Sequence, residues 1–187
     1  LGAVSSKGAD MCWMIEQVQA AVDTPISIDT NKEAILAEAI KACHKPPLVN
    51  STTAAKAKMD AFFPIVAEHH ASIIGLPIDE AGTPKNAEKR VELAATLLAK
   101  AMECGVPTDH VFLDPIVMPL KFMQEQARVV LETARQYPLL ADPAPHIVCG
   151  LSNISNKTLH KKLIDRTYLA MLIGCGLDAV ITDVLDV

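Results

Sequence analysis

The pattern that indicates the fold most clearly lies in residues 25–79, which read PISIDTNKEAILAEAIKACHKPPLVNSTTAAKAKMDAFFPIVAEHHASIIGLPID. It contains three short apolar runs, rich in Ile, Val and Leu and with little polar alternation, at residues 25–29, 48–50 and 72–78. Strands that are buried on both faces of a parallel sheet have this composition. Helical patterns fill the two intervening stretches, 32–43 and 55–69. The segment therefore predicts parallel strands that alternate with helices.

The same alternation extends along the rest of the chain. Further apolar runs that we predict to be strands occupy residues 111–114, 146–151 and 179–183. Further helical patterns occupy residues 85–104, 119–136 and 157–175. A helix also precedes the first strand, because one helical face collects Met11, Met14, Ile15, Val18 and Val22. Strands and helices that alternate throughout predict an α/β fold.

Two α/β architectures fit this pattern, a doubly wound open sheet and a (β/α)8 TIM barrel. We count six strands and six helices, whereas a barrel has eight of each in about 250 residues. The chain of 187 residues begins with a helix and ends on a strand. A barrel that lacks its first strand, first helix, second strand and last helix would look like this. We therefore expect a single barrel domain over residues 1–187, incomplete at both ends, that holds helix 2 to strand 8.

Composition and charge exclude several classes of function. The net charge of −5, with no block of like charges, is opposite to the basic face of a nucleic-acid-binding protein. No apolar run approaches the roughly 18–20 residues that span a bilayer. The five cysteines form no C-x-x-C pair, which is typical of the reducing cytosol, so we expect a cytoplasmic protein. They are Cys12, Cys43, Cys104, Cys149 and Cys175.

Polar residues stand at the carboxyl end of every predicted strand. They are Asp29, Asn50, Asp79, Asp114, Ser152 with Asn153, and Asp183. In a barrel these ends converge on the face that carries active sites. The alternative interpretation is helix capping, since Asp, Asn and Ser are favoured N-caps. Capping does not explain why Asp29 and Asp114 end the apolar run itself, several residues before the next helix.

The mixture of carboxylates and amides indicates the kind of ligand. Carboxylates accept paired hydrogen bonds, and amides both donate and accept, which suits a flat heterocycle with an amino-amide edge such as a pterin. The chain has no P-loop, no G-x-G-x-x-G and no arginine cluster for a phosphate. Its histidines show no metal-ligand spacing, and a G-x-S-x-G hydrolase elbow is absent. We therefore expect no protein-bound metal.

Several segments together resemble a known family. They are IDTN (28–31), VNST (49–52), IIGLPIDEAGTPK (73–85), FLDPIVMP (112–119), LADPAP (140–145), GLSNIS (150–155) and LIDRTYLAMLIGCGLDAVITD (163–183). The family is that of the pterin-binding methyltransferases, which move a methyl group between methyltetrahydrofolate and a corrinoid protein such as the corrinoid/iron–sulfur protein. The resemblance implies a (β/α)8 barrel and a homodimer.

The resemblance also implies roles for individual residues. Asn153 matches the family asparagine that reaches folate N5, which makes it the catalytic candidate. Asp79 and Arg166 match supporting positions. The residues that the resemblance assigns to the pterin and folate are Asp29, Asn50, Asp114, Asn153, Asn156 and Lys161.

The implied substrates are tetrahydrofolate or methyltetrahydrofolate and a corrinoid. The cobalamin-binding signature D-x-H-x-x-G is absent from the chain, so we expect a separate partner protein to carry the corrinoid. The direction of methyl transfer stays open. Two other functions also stay open, a dihydropteroate synthase and a non-catalytic folate-binding subunit. The strand-end motifs lack the Lys and the Arg-rich loop that a synthase needs for its pyrophosphate leaving group.

Overall fold

The computed structural model describes residues 7–183. In this range six α-helices alternate with six β-strands. The helices are α1 (Gly8–Ala21), α2 (Glu33–Ala39), α3 (Lys56–Glu68), α4 (Ala87–Glu103), α5 (Gln124–Gln136) and α6 (Lys161–Ile173). The strands are β1 (Ser27–Asp29), β2 (Leu48–Thr53), β3 (Ser72–Leu76), β4 (Val111–Leu113), β5 (His146–Gly150) and β6 (Ala179–Ile181). None of these helices is long and apolar enough to cross a membrane.

The strands form one curled parallel sheet in which spatial order follows chain order. Each strand from β1 to β6 pairs in parallel with the next strand along the chain. A doubly wound sheet reverses its strand order at a switch point, whereas a TIM barrel does not. The predicted TIM-barrel fold is therefore confirmed, and the doubly wound alternative is wrong. The described residues supply six of the eight strands of such a barrel.

The core consists of apolar side chains from the sheet and from the helices that cover it. Ile28, Val49 and Leu113 are fully buried on β1, β2 and β4. The adjacent rings of Phe62 and Phe63 on α3 are also fully buried. Each such side chain stabilises the fold by about 1.5–3 kcal/mol on transfer from water. Burial on both faces accounts for the absence of polar alternation in the strand sequences.

Two helices begin several residues later than the sequence pattern predicts. The prediction placed the start of α5 at residue 119, but the amides of Phe122 and Met123 donate to the carbonyl of Pro119 in a separate turn. The prediction placed the start of α6 at residue 157, but the Thr158 hydroxyl donates to the Ser155 carbonyl at 2.6 Å in another turn. Local turns thus shorten both helices at the end nearest the strand edge.

Several strand boundaries also differ from the prediction, among them the ends of β2 and β3. Strand β2 continues to Thr53 rather than ending at Asn50, and β3 ends at Leu76 rather than reaching residue 78. The extension of β2 follows from pairing with β3, since Thr52 and Thr53 lie opposite Gly75 and Leu76. Pairing between β2 and β3 sets both boundaries. The hydrophobic periodicity of the sequence does not show which strands pair.

All five cysteines are free thiols. Cys149 is buried in β5, and burial raises the pKa of its thiol to about 12. Such a thiol is protonated at neutral pH and is a poor nucleophile. Cys175 is also buried, whereas Cys12, Cys43 and Cys104 are half-buried.

Candidate active site at the carboxyl edge of the sheet

Strand register brings three of the predicted site residues to one edge of the sheet. Asp29 lies opposite Asn50, and the amide of Thr30 donates to the Asn50 carbonyl at 2.8 Å. The amide of Asp114 donates to the carbonyl of Gly75 at 3.1 Å, which places Asp114 just beyond β4 at the same edge. The edge thus carries two carboxylates and an amide.

A β-bulge shapes the strand beside Asp29. Asn50 and Thr52 lie opposite the consecutive residues Ile74 and Gly75, so Ser51 is the extra residue. Bulges bend a strand and re-aim its side chains, and they occur often next to active sites. Asn50 is half-buried within β2, three residues before the strand ends. The polar residue Asn50 therefore stands at a β-bulge and not at the end of the strand.

Asp114 is the strongly perturbed acid at this edge. The amide of Ile116 donates to its Oδ1 at 2.7 Å. Burial raises the pKa of the Asp114 carboxyl to about 6, and the Ile116 hydrogen bond and the positive charge of Arg90 oppose part of this shift. At pH 7 the carboxylate form predominates, and it can accept hydrogen bonds from a ligand. Perturbed acids in clefts are typical of functional sites.

Sequence reasoning missed Arg90, a fully buried arginine on α4. Its Nη1 donates to the carbonyls of Pro115 at 2.7 Å and Ile116 at 3.2 Å, directly after Asp114. Its Nε donates to the Pro84 carbonyl at 3.0 Å, and its Nη2 donates to Gln126 Oε1 at 2.6 Å. Arg90 therefore ties the loop after β3 to the loop after β4.

The signal that could have found Arg90 was its spacing. It precedes Leu93, Leu97 and Ala101 by 3, 7 and 11 residues, which is the buried face of α4. A single arginine on an apolar helical face needs several hydrogen-bond acceptors, because buried charges are costly unless paired. That reasoning predicts that Arg90 donates hydrogen bonds to nearby carbonyl groups, although it does not identify them.

The catalytic candidate Asn153 stands three residues beyond β5. The strand ends at Gly150, and Asn153 closes a short 3-10 turn (Leu151–Asn153), so the prediction that the strand reaches residue 151 is wrong. A Cβ added to Gly150 would lie 3.0 Å from Nδ2 of Asn153. The missing side chain at Gly150 therefore gives the Asn153 amide room to lie back over the end of β5.

The helix-capping alternative fails for the strand-end residues. The N-caps of α2, α3 and α6 are Lys32, Ala55 and His160, and none of the three makes a side-chain capping bond. The Ser155 hydroxyl instead donates to Oδ2 of Asp165 within α6 at 3.0 Å. Capping therefore accounts for none of Asp29, Asn50, Asn153, Ser155 and Asn156.

Asp79 has a local structural contact. It lies in the loop after β3, half-buried, and its Oδ1 accepts the amide of Ala81 at 2.9 Å. It also forms an isolated antiparallel bridge with Gly82. These contacts order the loop that leads to Pro84, and the supporting role of Asp79 stays a prediction.

The other predicted folate residues lie around the segment after β5. The amide of Asn156 donates to the carbonyl of Asn153 at 3.3 Å, so the two residues are adjacent. Arg166 on α6 lines a cavity of about 110 Å³ with Ser152 and Asp183, beyond the ends of β5 and β6. Lys161 is the first residue of α6 and is exposed, so it stands on a helix rather than at a strand end.

Among residues 7–183, no three His, Cys, Asp or Glu side chains are grouped as a metal site would require. The donor set at the edge, two carboxylates beside amides, instead matches a neutral heterocycle that presents N–H donors and a carbonyl acceptor.

Curated relatives show what the chain is similar to. It is 32% identical over 179 residues to a methylcorrinoid:tetrahydrofolate methyltransferase from Eubacterium limosum, a match that covers 91% of this chain and 64% of that protein. It is 26% identical over 184 residues to a methionine synthase from Mycobacterium tuberculosis, covering 92% of this chain and 15% of that protein. The chain thus spans less than two thirds of either relative.

The fold recurs in solved structures. A dihydropteroate synthase from Thermus thermophilus, in complex with 6HMPPP, superposes with a TM-score of 0.72 at 17% identity and covers 96% of this chain and 74% of its own. This similarity bears on the fold alone. The sequence profile of the family described as pterin binding enzyme matches residues 5–183. This match, with the identity to the Eubacterium enzyme, confirms the resemblance noted in the sequence: the chain belongs to the family of pterin-binding enzymes.

Proposed function

We propose that this chain is the pterin-binding barrel of a methyltransferase that moves a methyl group between N5 of tetrahydrofolate and the cobalt of a corrinoid protein. The observation that carries the proposal is the 32% identity to the Eubacterium methyltransferase over 91% of the chain. Asp29, Asn50 and Asp114 at one sheet edge support it, because their chemistry suits a pterin.

The pterin is held by hydrogen bonds along its amino-amide edge. Asp114, ionised above a pKa of about 6, accepts N–H groups of the ring. Asn50 donates to and accepts from the ring, and Asp29 accepts from its far side. Arg90 keeps the loop after Asp114 in place through the carbonyls of Pro115 and Ile116. Fixing the ring in this way aligns N5 with its reaction partner and reduces the entropic cost of the transition state.

Asn153 acts at N5. A methyl group on a tertiary amine leaves poorly unless N5 is protonated or strongly hydrogen-bonded in the transition state. The Asn153 carbonyl accepts a hydrogen bond from protonated N5, and rotation of the amide allows its NH2 to serve the unprotonated nitrogen. The corrinoid supplies the cobalt that accepts or donates the methyl group. The same residues serve both directions of transfer.

The corrinoid is carried by a partner protein that docks over the carboxyl edge of the sheet, where N5 would be exposed.

The chain itself forms a homodimer. An apolar groove of about 500 Å³ between α5 and α6 supports the dimer, since Leu163 and Met171 line it while 67% and 47% exposed. Light scattering of the wild type and of Leu163→Asp tests this part: a dimer that the variant converts to a monomer supports it, and a monomeric wild type contradicts it.

The enzymatic proposal is tested in two steps with the full-length protein. Calorimetry first measures binding of tetrahydrofolate and of dihydropterin pyrophosphate. Spectroscopy then follows methyl transfer from methyltetrahydrofolate to free cob(I)alamin. Tetrahydrofolate binding with transfer supports the proposal. Binding without transfer would identify a non-catalytic folate-binding subunit, and preferential binding of the pyrophosphate would identify a dihydropteroate synthase.

A further inference from the structure

A second cavity of about 500 Å³ lies beside the candidate site. One wall is residues 83–85, from the loop after β3, and the other is Met118 with residues 121–126, from the loop after β4 and the start of α5. Pockets for small molecules have volumes of about 300–1,000 Å³. None of the residues predicted to bind the pterin lines this cavity. We refer to it as the loop cavity.

The loop cavity presents an exposed aromatic ring among cations. Phe122 is 62% exposed. Lys121 Nζ lies 5.7 Å from the centre of the Phe122 ring, and Lys157 Nζ from the turn after β5 lies 5.8 Å from it. Lys85 stands on the other wall, and Glu125 is the acidic residue of the lining. The ammonium groups of Lys121 and Lys157 flank the Phe122 ring, and Lys85 in the lining adds a third positive charge, on a chain whose net charge is −5.

The two walls of the loop cavity are held together and joined to the candidate site. Arg90 donates to the carbonyl of Pro84 on one wall and to Gln126 Oε1 on the other. Gln126 Nε2 in turn donates to the carbonyl of Lys85 at 3.0 Å. The same guanidinium binds the carbonyls that follow Asp114. The cavity is thus held in a fixed position relative to the Asp114 carboxylate. This reduces the entropic cost of binding a ligand that contacts both Asp114 and the loop cavity.

We propose that the loop cavity binds the glutamyl tail of folate. A folate continues from its pterin into an aromatic aminobenzoyl group and then into one or more glutamates, each with a free carboxylate. The Phe122 ring contacts the aromatic group, and Lys85, Lys121 and Lys157 pair with the carboxylates. The cavity is concave and lies between two loops that hydrogen bonds hold together. This shape suits an extended, chain-like ligand better than the flatter surface of an acidic protein. The inference rests on the proposed function and adds the substrate class, polyglutamylated folate.

Binding of three ligands tests the proposal: a tetrahydropterin without a tail, tetrahydrofolate monoglutamate and tetrahydrofolate triglutamate. For the wild type at low salt we expect the triglutamate to bind about 3- to 30-fold more tightly than the monoglutamate, as two exposed ion pairs allow. In the double variant Lys121→Ala/Lys157→Ala this advantage falls below about 2-fold, whereas the Kd of the tail-less pterin is unchanged. The charge-matched control Lys41→Ala/Arg135→Ala, at exposed positions outside the cavity lining, keeps the full advantage.

Equal binding of the mono- and triglutamate by the wild type would overturn the proposal and leave the loop cavity to a partner protein. An equal loss for all three ligands in the double variant would overturn it as well, because the lysines would then act on the fold or the pterin. If the tail-less pterin fails to bind the wild type, the proposed function itself is wrong. The three ligands therefore separate failure of the tail site from failure of the pterin site.

Discussion

Arg90 Nη1 donates a hydrogen bond of 2.7 Å to the carbonyl of Pro115, the residue that follows Asp114. The donor is fully buried on α4, and the acceptor belongs to the loop that carries the perturbed acid. A buried cation thus holds the backbone that follows Asp114, the carboxylate that we propose binds the ligand. If Asp114 binds the ligand as proposed, this one side chain couples stability to ligand binding.

Replacing this arginine tests its contribution to stability. Arg90→Lys cannot reach the carbonyls of Pro84, Pro115 and Ile116 together, since an ammonium lacks the planar fork of a guanidinium. We expect the free energy of unfolding to fall by about 2–4 kcal/mol in chemical denaturation, because buried acceptors lose their donors. The exposed Arg135→Lys on α5 serves as the matched control, and its unfolding free energy stays within about 0.5 kcal/mol of the wild type. Equal losses of unfolding free energy in both variants would contradict a stabilising role for the Arg90 hydrogen bonds.

The raised pKa of Asp114 predicts a pH-dependent stability. The folded-state pKa is about 6, above the ordinary 3.8, so the folded protein binds this proton more tightly than the unfolded chain. The corresponding stabilisation is complete below about pH 4 and is lost as pH rises through 6. Asp114→Asn removes this loss. We expect the variant to gain about 1–3 kcal/mol relative to the wild type between pH 4 and 7.5, measured by denaturation at each pH. A constant difference across this range would contradict the raised pKa.

The same carboxyl predicts how pterin binding depends on pH. Below about pH 6 the protonated Asp114 loses its capacity to accept paired hydrogen bonds, so the Kd of a tetrahydropterin rises as the pH falls from 7.5 to 5. Calorimetry measures this change. The Asp114→Asn variant binds the tetrahydropterin more weakly at every pH. Its Kd no longer changes with a midpoint near pH 6. A midpoint that persists in the variant would assign the titration to another group.

Asn153→Ala tests the transition-state role of the amide. We expect the single-turnover rate of methyl transfer to fall by about 10²–10³, as for the loss of one oxyanion-hole donor. Because Asn153 is exposed, the unfolding free energy changes little. The neighbouring Ser152→Ala, in the same 3-10 turn, is the control and keeps the wild-type rate. Full transfer in Asn153→Ala would refute the role.

The N-cap of α4 gives a prediction that is independent of function. Oδ1 of Asn86 accepts the amide of Lys89 at 2.9 Å. Asn86→Ala leaves this amide without its side-chain acceptor, and we expect thermal or chemical unfolding to show a loss of about 1 kcal/mol. Asn86→Ser retains an acceptor and stays close to the wild type. If the two variants lose the same stability, the cap bond is not the cause.

The alternation of strands and helices, and the polar residues Asp29 and Asp114 at the carboxyl ends of the strands, could be predicted from the amino-acid sequence. These features depend on hydrophobic period and on burial on both faces of the sheet, which are local properties of the chain. The family also followed from sequence, since its motifs are short contiguous segments. Residue roles at the site stay predictions that binding and rate measurements will decide.

The contacts that join distant segments became visible only in the folded structure. Arg90 meets carbonyls up to 26 residues away, and the bulge after Asn50 arises from pairing with β3. The late starts of α5 and α6 come from turns at Pro119 and Ser155. The loop cavity exists because Arg90 and Gln126 close two loops that are far apart in sequence. Hydrogen-bond partners of this kind depend on three-dimensional proximity, which residue periodicity does not encode.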